Sequence, residues 1–306
     1  MNISTDFSYS HNFPCVVALG CFDGVHLGHA SVISAAKKKS EELGLPLCLW
    51  SFAEPPKRFY NPEATPLLTD KKTKENLVRK LGVDIYLSIN FSKEISSLSP
   101  EEFFKTVLLQ NLKAACIVCG FNFTFGKLGK GNIETLKRLC KSNGIALTSM
   151  PAETANGLPV SSSKIRECLS LGDIDTATAL LGRPYSVTST VVDGKHLGRT
   201  LGFPTINQNI DKGMCLPLSG VYLTRSTFDG LSYHSITNIG TQPTVGGDKI
   251  ISETHIFDFS GNLYSKEVTV EFLKFIRPVK KFTSLDELTN QISTDVSIAK
   301  NLIQQI

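Results

Sequence analysis

Apolar residues in the first half of the chain fall into short continuous runs, separated by segments whose apolar positions recur at helical spacing. "CVVALG" predicts a strand, and Ala30–Leu43 a helix stopped at Gly44. "LPLCLWSF" reads as a strand, "TDKKTKENLVRKLG" as a helix ending at Gly82, and "VDIYLSI" as a strand. "SPEEFFKTVLLQNL" opens with Ser99 as N-cap, Pro100 at the first helical position and Glu102 closing a capping box. "AACIVCG", "NIETLKRLCKSNG" and "IALTSM" follow as strand, helix and strand. Such alternation predicts an α/β domain, Rossmann-like, with a parallel sheet covered by helices on both faces. Its ligands are expected beyond the carboxyl ends of the strands.

The rhythm changes after "LLGRPYS", near residue 184. "YSVTSTVV", "GVYLTRSTF", "LSYHSITNI", "ETHIFDF" and "KEVTVEFLKFI" are short, β-branched or aromatic, and separated by turn signals. Asp229-Gly230 and Ser260-Gly261-Asn262 read as hairpin turns. Val268, Val270 and Phe272 alternate with Thr269 and Glu271, as in a half-buried strand. A final helix opens with a capping box of Ser284 and Glu287 and carries Leu285, Leu288, Ile292, Val296, Ala299 and Ile303 at helical spacing. The second half is expected to be a small antiparallel β-barrel or sandwich with a C-terminal helix. The expected domains are 1–183 and 184–306.

Composition narrows the function classes only a little. The 306 residues carry 41% hydrophobic and 20% charged side chains and a net charge of +4. The basic residues are scattered, which favours anionic small molecules over nucleic acid. No apolar run approaches membrane-spanning length, and the N-terminus lacks the basic start and apolar core of a secretory signal. Most of the eight cysteines lie in apolar runs and read as small hydrophobes, which suits a reducing, cytoplasmic compartment. Cys116 and Cys119 form a C-x-x-C that could signal redox or zinc chemistry. Strand alternation sets them on opposite faces, and no second pair follows.

The chemistry begins at "GCFDGVHLGH", residues 20 to 29, between the first strand and its helix. A glycine-rich strand-to-helix turn lets phosphate approach unpaired backbone N–H groups at the positive end of the helix. His26 and His29, three apart, fall on one face of the first turn, and both can donate to phosphate oxygens. "GKLGKG" at 126–131 is no P-loop and reads as a surface loop. "VSSSKIRECLSLG", residues 160 to 172, gathers three serines, Lys164 and Arg166 at a helix start. There they can bind a leaving pyrophosphate or simply cap the helix. In "GKHLGRTLGFPTIN", residues 194 to 207, the glycines suit a bent strand or a phosphate-approaching loop. Thr205 and Asn207 offer hard oxygens for Mg²⁺. "ETHIFDF" sets Glu253 and His255 on one strand face, where a carboxylate can take a proton from an attacking hydroxyl.

H-x-G-H with a distant S-S-x-x-I-R resembles the nucleotidyltransferase superfamily. The ordered set "GCFDGVHLGH", "VSSSKIR", "GRTLGFPTIN", "GVYL", "NIGTQPTVGG" and "ETHIFDFSGNLY" is similar to the bacterial bifunctional riboflavin kinase/FMN adenylyltransferases, also called FAD synthetases, from about residue 14 to 300. The resemblance implies an N-terminal nucleotidyltransferase domain and a C-terminal kinase barrel. It also implies two reactions, ATP-dependent phosphorylation of riboflavin to FMN and adenylylation of FMN to FAD with release of pyrophosphate. By the resemblance, Glu253 is the kinase base, and Thr205 and Asn207 hold Mg²⁺–ATP. Gly194, Lys195, His196, Gly198 and Arg199 cover its phosphates, and Arg277 in "FIRP" contacts flavin. Gly20, Phe22, Asp23, Gly24, His26, Gly28 and His29, with Asn122 in "GFNFTFG", form the other ATP site. Ser161, Ser162, Ser163 and Arg166 serve the pyrophosphate.

Four positions depart from the family pattern. "SFAEPP" has Glu54 and Pro55 where Pro and His are expected, which removes a donor near the phosphates. Ser163 replaces Thr, and Ile206 replaces Ala. Two other readings stay open: a riboflavin kinase whose adenylyltransferase half is weakened or inactive, and a flavin- or nucleotide-binding regulator without turnover. The expected partners are riboflavin, FMN, FAD and ATP, with neither nucleic acid nor membrane. Oligomeric state is open.

Overall fold

The computed structural model describes residues 1–63, 65–194, 197–242 and 249–305. The chain divides into two compact units, Met1–Ser162 and Ser163–Ile306.

The first unit contains β1 (Asn2–Ser4), β2 (Cys15–Leu19), α1 (Leu27–Leu43), β3 (Leu47–Phe52), α2 (Pro56–Tyr60), α3 (Lys71–Lys80) and β4 (Ile85–Ile89). There follow α4 (Lys93–Ser97), α5 (Pro100–Phe103), β5 (Ala114–Gly120), α6 (Ile133–Ser142) and β6 (Ala146–Met150), then a small hairpin of β7 (Thr154–Ala155) and β8 (Leu158–Pro159). The sheet order is β1-β4-β3-β2-β5-β6, and every pairing is parallel. From β2 the chain steps outward to β3 and β4, then returns to the other side of β2 for β5 and β6. The order therefore reverses between β2 and β5, which is where an open α/β sheet takes its ligands.

Strand alternation sorts the core onto two faces. Cys15, Val17 and Leu19 join the cluster of Phe103, Phe104 and Leu136, while Val16 and Ala18 join that of Ile33, Ala36 and Val78. Cys116 and Cys119 fall in opposite clusters, as alternation requires, and all eight cysteines are free. The helix from Ser99 has its capping box, but only Pro100–Phe103 is α-helical. Phe104–Asn111 continues as a wider π-helix.

The second unit contains α7 (Ser162–Ser170, its first residue counted with the first unit), α8 (Ile174–Leu181), β9 (Tyr185–Val192), α9 (Leu197–Thr200) and β10 (Ile206–Ile210). The remaining elements are β11 (Gly220–Phe228), β12 (Leu231–Gln242), β13 (Lys249–Ile256), β14 (Glu267–Pro278) and α10 (Leu285–Ile303). The six strands close a barrel in the order β10-β13-β12-β11-β14-β9. Val268, Val270 and Phe272 are fully buried, as their alternation predicts. Asp229 and Gly230 both have positive φ, 49° and 78°, as a tight turn with right-handed strand twist requires.

Two expectations need correcting here. Ser260-Gly261-Asn262 is not a hairpin turn. β13 pairs with β10 and β12, and β14 with β11 and β9, so the two strands are not neighbours. The turn residues belong instead to a longer connection across the barrel end. The box at α10 is also only half formed. Ser284 accepts from Glu287 N–H, but the Glu287 carboxylate accepts from the N–H and hydroxyl of Thr283.

Candidate functional site

The turn from β2 to α1 is tightly constrained. Phe22, Gly24 and Val25 take left-handed backbone, at φ 53°, 84° and 38°. That conformation is costly for Val25, whose side chain is branched at Cβ. It is held because Phe22 and Val25 are buried in the core beneath the turn. Two glycines make room. A Cβ on Gly20 would lie 2.9 Å from the Phe22 ring, and one on Gly24 2.8 Å from Leu68. The Asp23 carboxylate accepts from Leu68 N–H (3.1 Å) and Thr69 N–H (3.4 Å), and Gly24 N–H reaches Thr69 Oγ1 (3.2 Å). Asp23 thus fixes the turn to the segment before α3.

His26 is the N-cap of α1, so it stands just ahead of the first turn rather than within it. Its Nδ1 accepts the His29 N–H at 3.2 Å. A ring nitrogen that accepts carries no proton, so the neutral imidazole of His26 keeps its hydrogen on Nε2. The His26 and His29 rings stack with centroids 3.6 Å apart, and Phe22 meets His29 edge-on at 5.2 Å. Gly28 leaves space for this arrangement, since a Cβ there would touch the His26 ring at 3.4 Å.

Around this turn the first unit adds further groups. Asn122 follows β5 at the switch point, its Oδ1 folded back to within 3.4 Å of where a Gly120 Cβ would stand. Ser162 Oγ donates to Asp23 C=O at 3.0 Å. Ser163 and Arg166 lie further along α7, in the second unit, and Lys164 pairs with Glu167 at 3.0 Å. Glu54, at a departing position, pairs with Arg58 at 2.7 Å. Sequence reasoning missed Lys74 on α3, which is 3% exposed and bonded to Cys21 C=O at the start of the turn. Nothing in its local pattern marks a buried lysine, because its partners are distant in sequence.

The second unit has a cavity of about 730 Å³ on the outside of the barrel. Cross-strand register explains its floor. Val192 pairs with Asn207, Asn207 with Glu253, Glu253 with Asn238, Asn238 with Val221, and Val221 with Arg277. Directly opposed residues share a face with Cβ atoms about 5 Å apart. All six line the cavity. Glu253 therefore stands between two amide side chains, Asn207 and Asn238, on a single row. His255, two residues along the same face, holds Pro204 C=O at 2.8 Å through Nδ1.

The glycine loop closes on this row. A Cβ on Gly194 would fall 2.2 Å from the Asn207 amide, and one on Gly198 would lie 3.3 Å from Thr205 Oγ1. Within the segment expected to be a bent strand or loop, Leu197–Thr200 forms the short helix α9, which carries Arg199, and Gly202 follows with positive φ. Lys195 and His196 lie outside the described residues. Arg277 lines the cavity, but Nε and Nη2 are both bonded to Asp295 of α10 (2.9 and 2.7 Å) and Nη1 to Pro278 C=O (2.9 Å). Among the described residues no group of three or more His, Cys, Asp and Glu could hold a metal. Thr205 and Asn207 instead present a hydroxyl and an amide oxygen beside the glycine cradle, which are hard donors suited to Mg²⁺ shared with phosphates. No helix among the described residues is long and apolar enough to cross a membrane.

One chain thus carries two candidate sites, one at a glycine-rich turn of a parallel sheet and one in a cavity on a barrel. The FAD synthetase family model matches residues 8–164 and the riboflavin kinase family model residues 181–303. A bifunctional riboflavin kinase/FMN adenylyltransferase of Pseudomonas fluorescens is 36% identical over 289 residues, covering 94% of this chain and 93% of the relative. Its counterpart from Bacillus subtilis (strain 168) is also 36% identical, covering 92% of this chain and 90% of the relative. A crystal structure from Streptococcus pneumoniae, described as a macrolide-efflux protein, matches with a TM-score of 0.89 at 30% identity and covers 98% of each chain. The chain belongs to the bifunctional riboflavin kinase/FMN adenylyltransferase family.

Proposed function

We propose that the chain phosphorylates riboflavin to FMN in its barrel and adenylylates FMN to FAD at the β2–α1 turn, using ATP in both steps. The observation that carries the kinase assignment is Glu253 between Asn207 and Asn238 on the cavity floor, with Gly194 and Gly198 packed on Asn207 and Thr205. Glu253 takes the proton of the riboflavin 5′-hydroxyl as that oxygen bonds to the γ-phosphorus and the bond to ADP breaks. Thr205 and Asn207 would hold Mg²⁺, which neutralises charge on the phosphates. Gly194, Lys195, His196, Gly198 and Arg199 serve as the covering loop. Arg277 acts on the flavin end of the cavity through its hold on Asp295.

In the first unit a phosphate oxygen of FMN attacks the α-phosphorus of ATP, and pyrophosphate leaves. The nucleophile is already an anion, so no base is needed, and catalysis is positioning plus charge stabilisation. Gly20, Phe22, Gly24 and Gly28 shape the turn and Asp23 fixes it. His26 Nε2–H, His29 and the α1 N-terminus hold phosphates, and Asn122 contacts the nucleotide. Ser161, Ser162, Ser163 and Arg166 take the pyrophosphate. We therefore keep 1–183 and 184–306 as the functional division, with the serine-rich start of α7 serving the first. Glycine-cradled phosphate sites and free buried thiols support a cytoplasmic enzyme.

Incubation with riboflavin, ATP and Mg²⁺, followed by chromatography of the flavins, tests this. FMN and FAD together are expected. FMN alone would leave only the kinase, and unchanged riboflavin would leave a binding protein.

A further inference from the structure

We infer that Lys74 is a positioning residue that supplies a buried positive charge, held by neutral oxygens, to the adenylyl-transfer turn, so that affinity there rises with the negative charge of the ligand. This rests on the reading of the first unit as the adenylylating site. Lys74 is the fourth residue of α3 and is 3% exposed. Its Nζ donates to Cys21 C=O (2.8 Å), Phe52 C=O (2.8 Å) and Ser51 Oγ (3.1 Å). All three donors of the ammonium are thereby used, and every acceptor is neutral. Among the described residues Lys74 makes no ion pair.

A buried ammonium without a counter-charge is costly, and a place in the first turns of a helix, at the positive end of its dipole, adds to the cost. The three oxygens satisfy the donors but leave the net charge intact. That charge lies under the carboxyl ends of β2 and β3. Cys21 leads into the Phe22–His26 turn, and Phe52 ends β3. Its Nζ bonds directly to Cys21 C=O and is withdrawn from the surface, so a polyphosphate placed at the turn meets it with weak screening. An anion bound at the turn gives Lys74 an opposite charge that none of its three bonded oxygens supplies.

The test is a charge series in the whole chain, read in the FMN-to-FAD reaction so that the barrel takes no part. Adenosine, AMP, ADP and pyrophosphate are measured as inhibitors against ATP, with K74M beside the unaltered chain. Inhibition by adenosine is expected to stay within about 2-fold, and inhibition by the anions to weaken about 3- to 10-fold per unit of ligand charge. Ser51→Ala removes one bond of the staple but keeps the ammonium, and should retain the full charge dependence. K74R should restore it. If K74M melts early, K74Q is read on the same series. A common change in all four inhibitors, no change in any, or an S51A pattern equal to that of K74M would overturn the inference. A chain that forms no FAD at all would instead overturn the parent reading.

Discussion

The His26 ring caps α1 and, in the proposed mechanism, holds phosphate, and the two roles can be separated. Its Nδ1 caps α1 by accepting the His29 N–H, which leaves Nε2–H as the ring's donor. Asparagine caps a helix well and alanine does not, the difference being about 1 kcal/mol. His26→Ala should therefore lower the stability of the first unit by about that amount, whereas His26→Asn should melt like the unaltered chain. Both should slow FMN-to-FAD conversion by about 10²- to 10³-fold, the usual loss for one charge-stabilising donor. FAD formation by His26→Asn at the unaltered rate would remove the imidazole from the mechanism. In the barrel, Glu253→Gln should lower FMN formation by about 10²- to 10⁴-fold and leave FMN-to-FAD conversion intact. Equal losses in both reactions would argue against separate sites. The histidine pair and Glu253 stand out in the sequence as candidates because their pattern is local: two imidazoles at a helix start, and a carboxylate on an alternating strand. Asn238 and Lys74 are not, because pairing to β13 and burial beneath a distant turn give them their roles.

The helical element α10 meets the barrel through one buried ion pair and an apolar cluster that includes Val296, Ala299 and Leu302. Arg277 at the end of β14 grips Asp295, whose side chain is 3% exposed, and Gln291 donates to the same carboxylate at 3.0 Å. Leu288, Ile292 and Asp295 of α10 wall the cavity above the Glu253 row, so the pair docks the wall onto the barrel. Asp295→Ala strands a half-buried guanidinium and should destabilise the second unit by about 3–5 kcal/mol. A double substitution, Arg277→Met with Asp295→Leu, should recover most of that, because apolar residues of similar volume replace such pairs at little cost. The measurement is a thermal melt of each variant. A double variant as unstable as the single would show that α10 docks by other means. The same element-level view explains what the apolar pattern concealed. β10 is hard to read because polar Gln208 sits between Ile206 and Ile210 on its inward face and Asn207 and Asn209 lie outward, and Thr224, Ser226, Ser235, Thr237, Ser252 and Thr254 are likewise fully buried. Their hydroxyls satisfy one another, as at Thr224–Thr237 and Thr237–Thr254. Where hydroxyls take the inner face, as on β12 and β13, hydrophobicity does not mark it, whereas Val268, Val270 and Phe272 mark it on β14. Buried runs such as Cys15–Leu19 mark the parallel sheet.

Across the whole molecule, titratable groups withdrawn from water set how the chain responds to its medium. Burial pushes the Cys119 thiol up to about 12 and that of Cys140 to about 11. Of the eight cysteines only Cys21 is not buried, so a thiol reagent at neutral pH should modify at most one rapidly, and all eight once the chain is denatured. His11 gives a pH response confined to the first unit. It packs flat on Phe13, with centroids 4.1 Å apart, and meets Tyr9 edge-on. Burial holds its imidazole below the ordinary value of 6.5, Lys113 pushes the same way, and the Phe13 backbone opposes them. Above 6.5 the ring is neutral in the folded and the unfolded chain, and it contributes no pH dependence. As pH falls below 6.5 the unfolded chain takes up the proton first, so folding loses stability until pH passes the lowered folded value. The first unit should accordingly melt lower at pH 5.5 than at pH 7.5, by an amount that His11→Phe reduces. Other groups titrate over the same interval, so the informative quantity is the difference between the two chains. An identical pH dependence in both would show that the imidazole gains its proton as readily in the folded chain as in the unfolded one.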